Sequence, residues 1–251
     1  MYEQCKKNIT ISLFILMISG CSSNSGMSNK EFLYRESILL KANNHAGLVT
    51  LYREKLKQKE DDAIRLKLAN TYYLTGDTKS SLYYLQPMIN KPSESIYILQ
   101  AKNLINNNDS TNAITVINKL LTISPNNAEA HNLHGIVLAN SGEVRKAEVA
   151  IEKSRALFIP DDTAMNNLAV VAMLDNRYSD AVRILLPDYL AGKKNSLRLH
   201  NLVFSLIQLG DTTYAKKIII AEKMAKDPDE LILALSQVQS LQQERLSDKG
   251  A

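Results

Sequence analysis

His131 and His134 stand three residues apart in a stretch that reads as helix, a spacing that puts two side chains on one face and within reach of one metal ion. A zinc site needs a third and usually a fourth ligand at motif spacing, and none stands there. Both histidines also fall where one helix packs on the next, so packing is the reading. His45 and His200 stand alone, as polar filler or groove residues. The chain has no His-Glu-x-x-His, no Gly-x-Ser-x-Gly and no phosphate-cradling glycine loop. Its only cysteines, Cys5 and Cys21, lie at the extreme N-terminus, so they make no disulfide framework and no thiol with an activating base. No catalytic residue, metal, cofactor or small-molecule substrate is expected.

The composition as a whole favours a globular protein built of helices. Of 251 residues, 45% are hydrophobic and 22% charged, enough to bury a substantial core. Tryptophan is absent and glycine and proline are scarce. The formal charge of +4 is small for this length and mixed in sign along the chain, which gives no basic face for nucleic acid.

Lys6-Lys7 precedes an apolar run from Ile9 to Ile18, interrupted by Thr10 and Ser12. The run is about half of the ~20 residues a spanning helix needs, so residues 1–20 read as a signal peptide that is removed. Ile18-Ser19-Gly20-Cys21 resembles the bacterial lipobox, whose cysteine becomes the acylated first residue; that family usually has leucine where Ile18 stands. An ordinary secretory signal with a chance cysteine is the alternative. Multiple acyl chains, which the resemblance implies for Cys21, anchor stably where one binds only marginally. Ser22 follows where inner-membrane retention signals commonly carry aspartate, which by analogy directs the chain to the periplasmic face of the outer membrane. Residues 21–29 form the lipidated end of a flexible, polar tether.

From Lys30 onward one register repeats. A small residue recurs at Gly47, Ser81, Ala113, Ala147, Ala181 and Ala215, at intervals of 34, 32, 34, 34 and 34. Four residues on, an aliphatic follows every time: Leu51, Leu85, Ile117, Ile151, Leu185 and Ile219. Five residues ahead lies a turn position, read as Ala42, Gly76, Asn108, Gly142, Asn176 and Gly210, mostly the residue types that tolerate positive φ. The best-preserved copy runs from Ala128 to Pro160. This pattern resembles the tetratricopeptide (TPR) repeat. The resemblance implies an all-α, helix-turn-helix solenoid of about six repeats, near 30–60, 62–92, 94–125, 128–160, 162–194 and 196–227. Two helices of about twelve residues cannot bury their apolar faces alone, so neighbours stack and share a core.

Pro87 and Pro187 fall at one register position and predict a kinked or shortened second helix in both units. The short 32-residue interval is expected to be absorbed in the loop near Asn90 to Ser95. Residues 228–246 place Leu231, Leu235, Val238, Leu241 and Leu246 on one stripe, as a C-terminal capping helix would.

In TPR-like arrays the concave face is lined by the first helix of each pair. Its register positions give Leu66, Asn70 and Tyr73; Ile98 and Lys102; Asn132 and Ile136; Asn166, Val170 and Met173; His200, Phe204 and Ile207. Asparagine amides can hold a peptide backbone, and Tyr73, Met173 and Phe204 offer apolar pockets. The peptide-groove candidates are Asn70, Tyr73, Lys102, Asn132, Asn166, Met173, His200 and Phe204, each of which has completion of the inter-repeat core as its alternative. The basic clamp that chaperone-type TPR domains close on terminal carboxylates is not reproduced: Asn167 and Asn201 stand at one of its positions, without the paired lysines. The basic run Arg53, Lys55, Lys57, Lys59, Arg65 and Lys67 reads as a solvated face balanced by Glu54, Glu60, Asp61 and Asp62, with anionic head groups as the alternative ligand.

The stretches Ala164–Ala169, Arg177–Ala181, Arg198–Leu202 and Leu209–Asp211, together with the lipobox, resemble the TPR lipoprotein of tight-adherence (Flp pilus) secretion systems, the TadD family. The six-TPR secretin pilotins of type IV pili are a second likeness. The resemblance implies a lipid-anchored scaffold that binds a pilus secretin or another secretion subunit. An adaptor for peptidoglycan synthases or hydrolases is the alternative.

Overall fold

Six helix pairs and a thirteenth helix follow one another in the computed structural model, which describes residues 27–91, 93–193 and 195–238. The pairs are α1 (Asn29–Lys41) with α2 (His45–Gln58), α3 (Asp62–Leu74) with α4 (Thr78–Leu85), and α5 (Glu94–Asn106) with α6 (Ser110–Ile123). Then come α7 (Ala128–Asn140) with α8 (Val144–Ala156), α9 (Asp161–Leu174) with α10 (Tyr178–Leu190), and α11 (Ser196–Gln208) with α12 (Thr212–Ala221). The last helix is α13 (Pro228–Ser236). The described residues contain no strand, and none of their helices is long and apolar enough to cross a membrane. The signal peptide, Cys21 and the distal part of the expected cap, with Leu241 and Leu246, lie outside the described residues.

A left-handed residue stops each first helix, and the next residue starts its partner. Asn108 has φ 57° and Gly142 φ 79°. The carboxylate of Asp109 then accepts the amide of Asn112, capping α6, and Asp77 and Asp211 cap α4 and α12 in the same way. Behind the turn the two helices touch through small residues. Ala69, Ala101, Gly135 and Ala169 on the first helices are buried, as are Ser81, Ala113, Ala147 and Ala181 on the second. This close approach leaves the aliphatics Leu85, Ile117, Ile151, Leu185 and Ile219 almost wholly enclosed. Burying each contributes about 1.5–3 kcal/mol. The core is a chain of clusters shared between neighbours; Ala147 and Ile151 of α8, for example, pack with Ala164, Leu168 and Val171 of α9.

The first pair departs from the expected register by one residue. Its turn residue is Asn43, with φ 48°, and Asn44 caps α2, so Leu48 and Tyr52 take the places anticipated for Gly47 and Leu51. Gly47 packs tightly nonetheless: a Cβ there would lie 2.5 Å from Leu39 Cδ2. Where α3, α5, α7 and α9 carry a small residue, α1 carries Glu36, 6% exposed. Its Oε1 accepts from Tyr52 Oη at 2.7 Å and from Lys67 Nζ of α3 at 2.8 Å. Burial, and then the neighbouring Glu36, push the Tyr52 hydroxyl pKa well up. Removing the cation leaves a buried carboxylate with one donor. Because Lys67 is itself about half exposed, we expect Lys67→Met to lower the unfolding free energy by about 1–2 kcal/mol in urea titrations.

The two prolines behave differently. In the second pair α4 gives way to a 3-10 turn, Gln86–Met88, and the helical run ends at Met88. The short interval therefore comes out of the helix itself rather than the following loop. In the fifth pair α10 runs through Pro187 to Leu190, so the expected shortening is absent. Pro187 sits in the last turn, and the carbonyl it leaves without an intrahelical donor belongs to Arg183, on the exposed face. At the C-terminal end Leu231, Ile232 and Leu235 of α13 pack against the cluster shared by α10, α11 and α12.

Candidate functional site

The register positions of the first helices lie at different depths. Leu66 and Asn70 of α3 come together with Ser95, Ile98 and Lys102 of α5 around an open depression of about 370 Å³. Asn70 is exposed and its side chain makes no hydrogen bond among the described residues, so its amide is available to a ligand. Lys102 is half-buried and its Nζ lies 2.8 Å from Glu129 Oε1 of α7. That pair leaves the depression with an apolar floor and a polar, nearly neutral rim.

Farther along, amides bind one another. Asn167 Nδ2 donates to Asn132 Oδ1 at 2.7 Å, Asn166 Nδ2 to Asn167 Oδ1 at 3.3 Å, and Asn201 Nδ2 to Asn166 Oδ1 at 3.1 Å. The chain of contacts links α7, α9 and α11, and Asn132 at its end is only 3% exposed. These asparagines form a floor that fixes neighbouring pairs to each other. Asn167 and Asn201, noted in the sequence only as an incomplete clamp, are the partners that close it; their spacing of 34 residues is the signal that finds them.

The apolar candidates are partly core. Tyr73 and Met173 pack against adjoining clusters, Ile207 is buried, and Phe204 meets the edge of Tyr178 at 6.0 Å with planes at 72°. His200 is exposed, and its Nδ1 donates to the Ser196 carbonyl at 2.5 Å, which fixes the tautomer. Most of the basic run is engaged or solvated: Lys55 bonds Asn29 Oδ1 at 3.0 Å, Lys67 bonds Glu36, and Arg65 pairs with Glu60.

The two histidines face the other side. They line a cleft of about 670 Å³ between α6, α7 and α8, with Ile114, Leu138 and Val149. His131 Nε2 donates to the Pro125 carbonyl at 2.9 Å. Among the described residues no three His, Cys, Asp or Glu side chains come together as a metal site. Burial and then His131 hold the His134 pKa below the usual imidazole range, against a small opposing pull from Glu143. A histidine whose folded pKa is depressed takes up a proton more readily when unfolded. Stability is therefore lost as pH falls through the unfolded value near ~6.5. We expect His134→Gln to flatten the pH dependence of the urea midpoint between pH ~7 and ~5, and an unchanged slope would contradict this placement.

Pairs of short helices, left-handed turns and a shared groove define the chain as a TPR-type helical solenoid. Solved structures with the same architecture include a thermophilic TPR protein of Thermus thermophilus, at TM-score 0.60 and 19% identity over 69% of this chain and 97% of that one. A tetratricopeptide repeat protein of Parabacteroides merdae superposes at TM-score 0.64 and 12% identity, covering 86% and 88% of the two chains. MamA of Desulfovibrio magneticus superposes at 0.53 and 15% identity, covering 68% and 99%. These identities speak to the fold alone. No protein-family model and no curated protein sequence matches the chain.

Proposed function

We propose that the chain is a non-enzymatic protein-binding scaffold that captures a segment of another protein in its concave groove. The observation that carries this reading is the depression between α3 and α5, where the unengaged amide of Asn70 stands beside the apolar Leu66 and Ile98. An extended segment can bond the amide through its backbone and seat apolar side chains on that floor. The lipobox-like Ile18–Cys21 adds a location: acylated at Cys21, the scaffold works at the periplasmic face of the outer membrane. Within that setting the resemblance to tight-adherence and pilotin lipoproteins favours a pilus secretin or a companion subunit as the captured protein. Photo-crosslinking in the native host from Asn70, with Tyr83 on the opposite surface as control, tests the groove. Deletion of the gene is expected to remove pili and lower the outer-membrane secretin ring. Loss of pili with rings at normal level removes the pilotin role. Crosslinks only to peptidoglycan enzymes replace the pilus reading with the adaptor one.

A further inference from the structure

Among the described residues nothing caps the start of the solenoid. Two residues beyond the position that Glu36 holds in α1, each later first helix carries a residue buried to 4% exposure or less: Thr71, Asn103, Val137, Val171 and Ser205. The matching residue of α1 is Ile38, 47% exposed, because no described pair precedes it. Leu33, Tyr34 and Leu40 are exposed beside it, at 59%, 67% and 53%. Repeat arrays ordinarily close such an end with a polar face. Here the stripe has Lys30 and Lys41 at its two ends, on one helical face at i and i+11, and neither makes an ion pair or hydrogen bond among the described residues. Of the acids of α1, Glu36 is buried, and Glu31, exposed at the margin of the stripe seven residues before Ile38, lies by Arg35 at 4.0 Å.

That charge pattern selects the occupant. Two copies of α1 laid antiparallel would set Lys30 against Lys41, and a parallel pair would set each lysine against itself; the exposed acid of the helix, Glu31, stands at the margin beside Arg35. An anionic bilayer complements both lysines. Lysine stems run along apolar surface while their ammonium groups reach phosphates, and Leu, Ile and Tyr side chains enter the interfacial layer. Distance agrees, on the proposed acylation of Cys21: Asn29 is eight positions further along the chain, at most about 28 Å when extended. We propose that the outer face of α1 is a membrane-contact surface that seats the first helix in the head-group layer of an anionic bilayer.

Because the native chain has no tryptophan, Tyr34→Trp supplies a single reporter. The mature chain bearing it is added to vesicles of phosphatidylethanolamine and phosphatidylglycerol with brominated acyl chains. We expect a blue-shifted emission quenched at least about twofold, because the indole enters the interface. Tyr83→Trp, at a position 71% exposed on α4, should stay unquenched. Adding Lys30→Glu and Lys41→Glu to Tyr34→Trp should restore most of the emission. An unquenched indole in the Tyr34→Trp chain, while that chain still sediments with vesicles, overturns the surface and leaves the anchor intact. A Cys21 found unacylated by mass removes the anchor alone, and the surface then stands or falls on quenching of the Tyr34→Trp reporter by anionic vesicles. A blue shift that grows with protein concentration in the absence of lipid overturns it in favour of a second copy.

Discussion

Ile151→Ala lowers the unfolding free energy by about 3–4 kcal/mol, and Gly135→Ala restores about 1 kcal/mol of it, although Gly135→Ala alone is destabilising. Ile151 is fully enclosed, at the meeting of α7, α8 and α9. Its loss leaves a cavity in the middle of the array. A Cβ on Gly135 would stand 2.4 Å from Ile151 Cγ1, one branch of a β-branched side chain whose stiff χ1 keeps it from moving aside. With Ile151 truncated that obstacle is gone and only the Ala147 carbonyl oxygen, at 3.1 Å, must give slightly, while the helix-propensity gain of alanine over glycine, about 1 kcal/mol, remains. Urea titrations of the four chains give the coupling directly. Additive changes would mean that the two helices do not meet at these residues. Because Leu168 and Val171 share the same cluster, Ile151→Ala should also broaden the transition, as the two halves of the array begin to unfold separately.

Cys21→Ser has the largest expected effect on the molecule in its cell. On the reading proposed above it moves the chain from the membrane pellet to the soluble fraction almost completely, since several acyl chains at ~0.8 kcal/mol per buried CH₂ hold it there. Detergent-free fractionation and the mass of the N-terminal peptide report the result. A chain that stays in the pellet without acylation would identify the signal as uncleaved or the anchor as something other than Cys21.

The period of the fold is legible in the sequence because its cause is local and repeated. A small residue with an aliphatic four positions on can serve only one packing, and five of the six copies sit in that register. The first copy misled because Gly47 imitates the small residue, while the true marker, the turn asparagine, is one of two in Asn43-Asn44. Two prolines at one register position gave one expectation and two outcomes, a 3-10 turn at Pro87 and an unbroken helix at Pro187, although the residue four places back is exposed in both. The groove is legible as a set of positions and not as depths. Nothing local distinguishes Asn70, whose amide is open, from Asn132, whose amide is covered by a residue 35 places away. The histidine cleft depends on three helices meeting, and no short spacing announces it.

The linked amides have a mechanical meaning. Between α7 and α11 the curvature of the solenoid is set by hydrogen bonds of fixed length, and a ligand that flattens or tightens the groove there must break them at about 1 kcal/mol each. Between α3 and α5 the floor is apolar contact through Leu66, Ile98 and Leu99, which can slide without losing a directional bond. Directional bonds are therefore unevenly placed along the superhelix: the amides tie α7 to α11 and Glu36 ties α1 to α3, while the α3–α5 floor between them is apolar. A partner that enters at α3–α5 can reshape the groove around itself; one that enters between α7 and α11 must already fit.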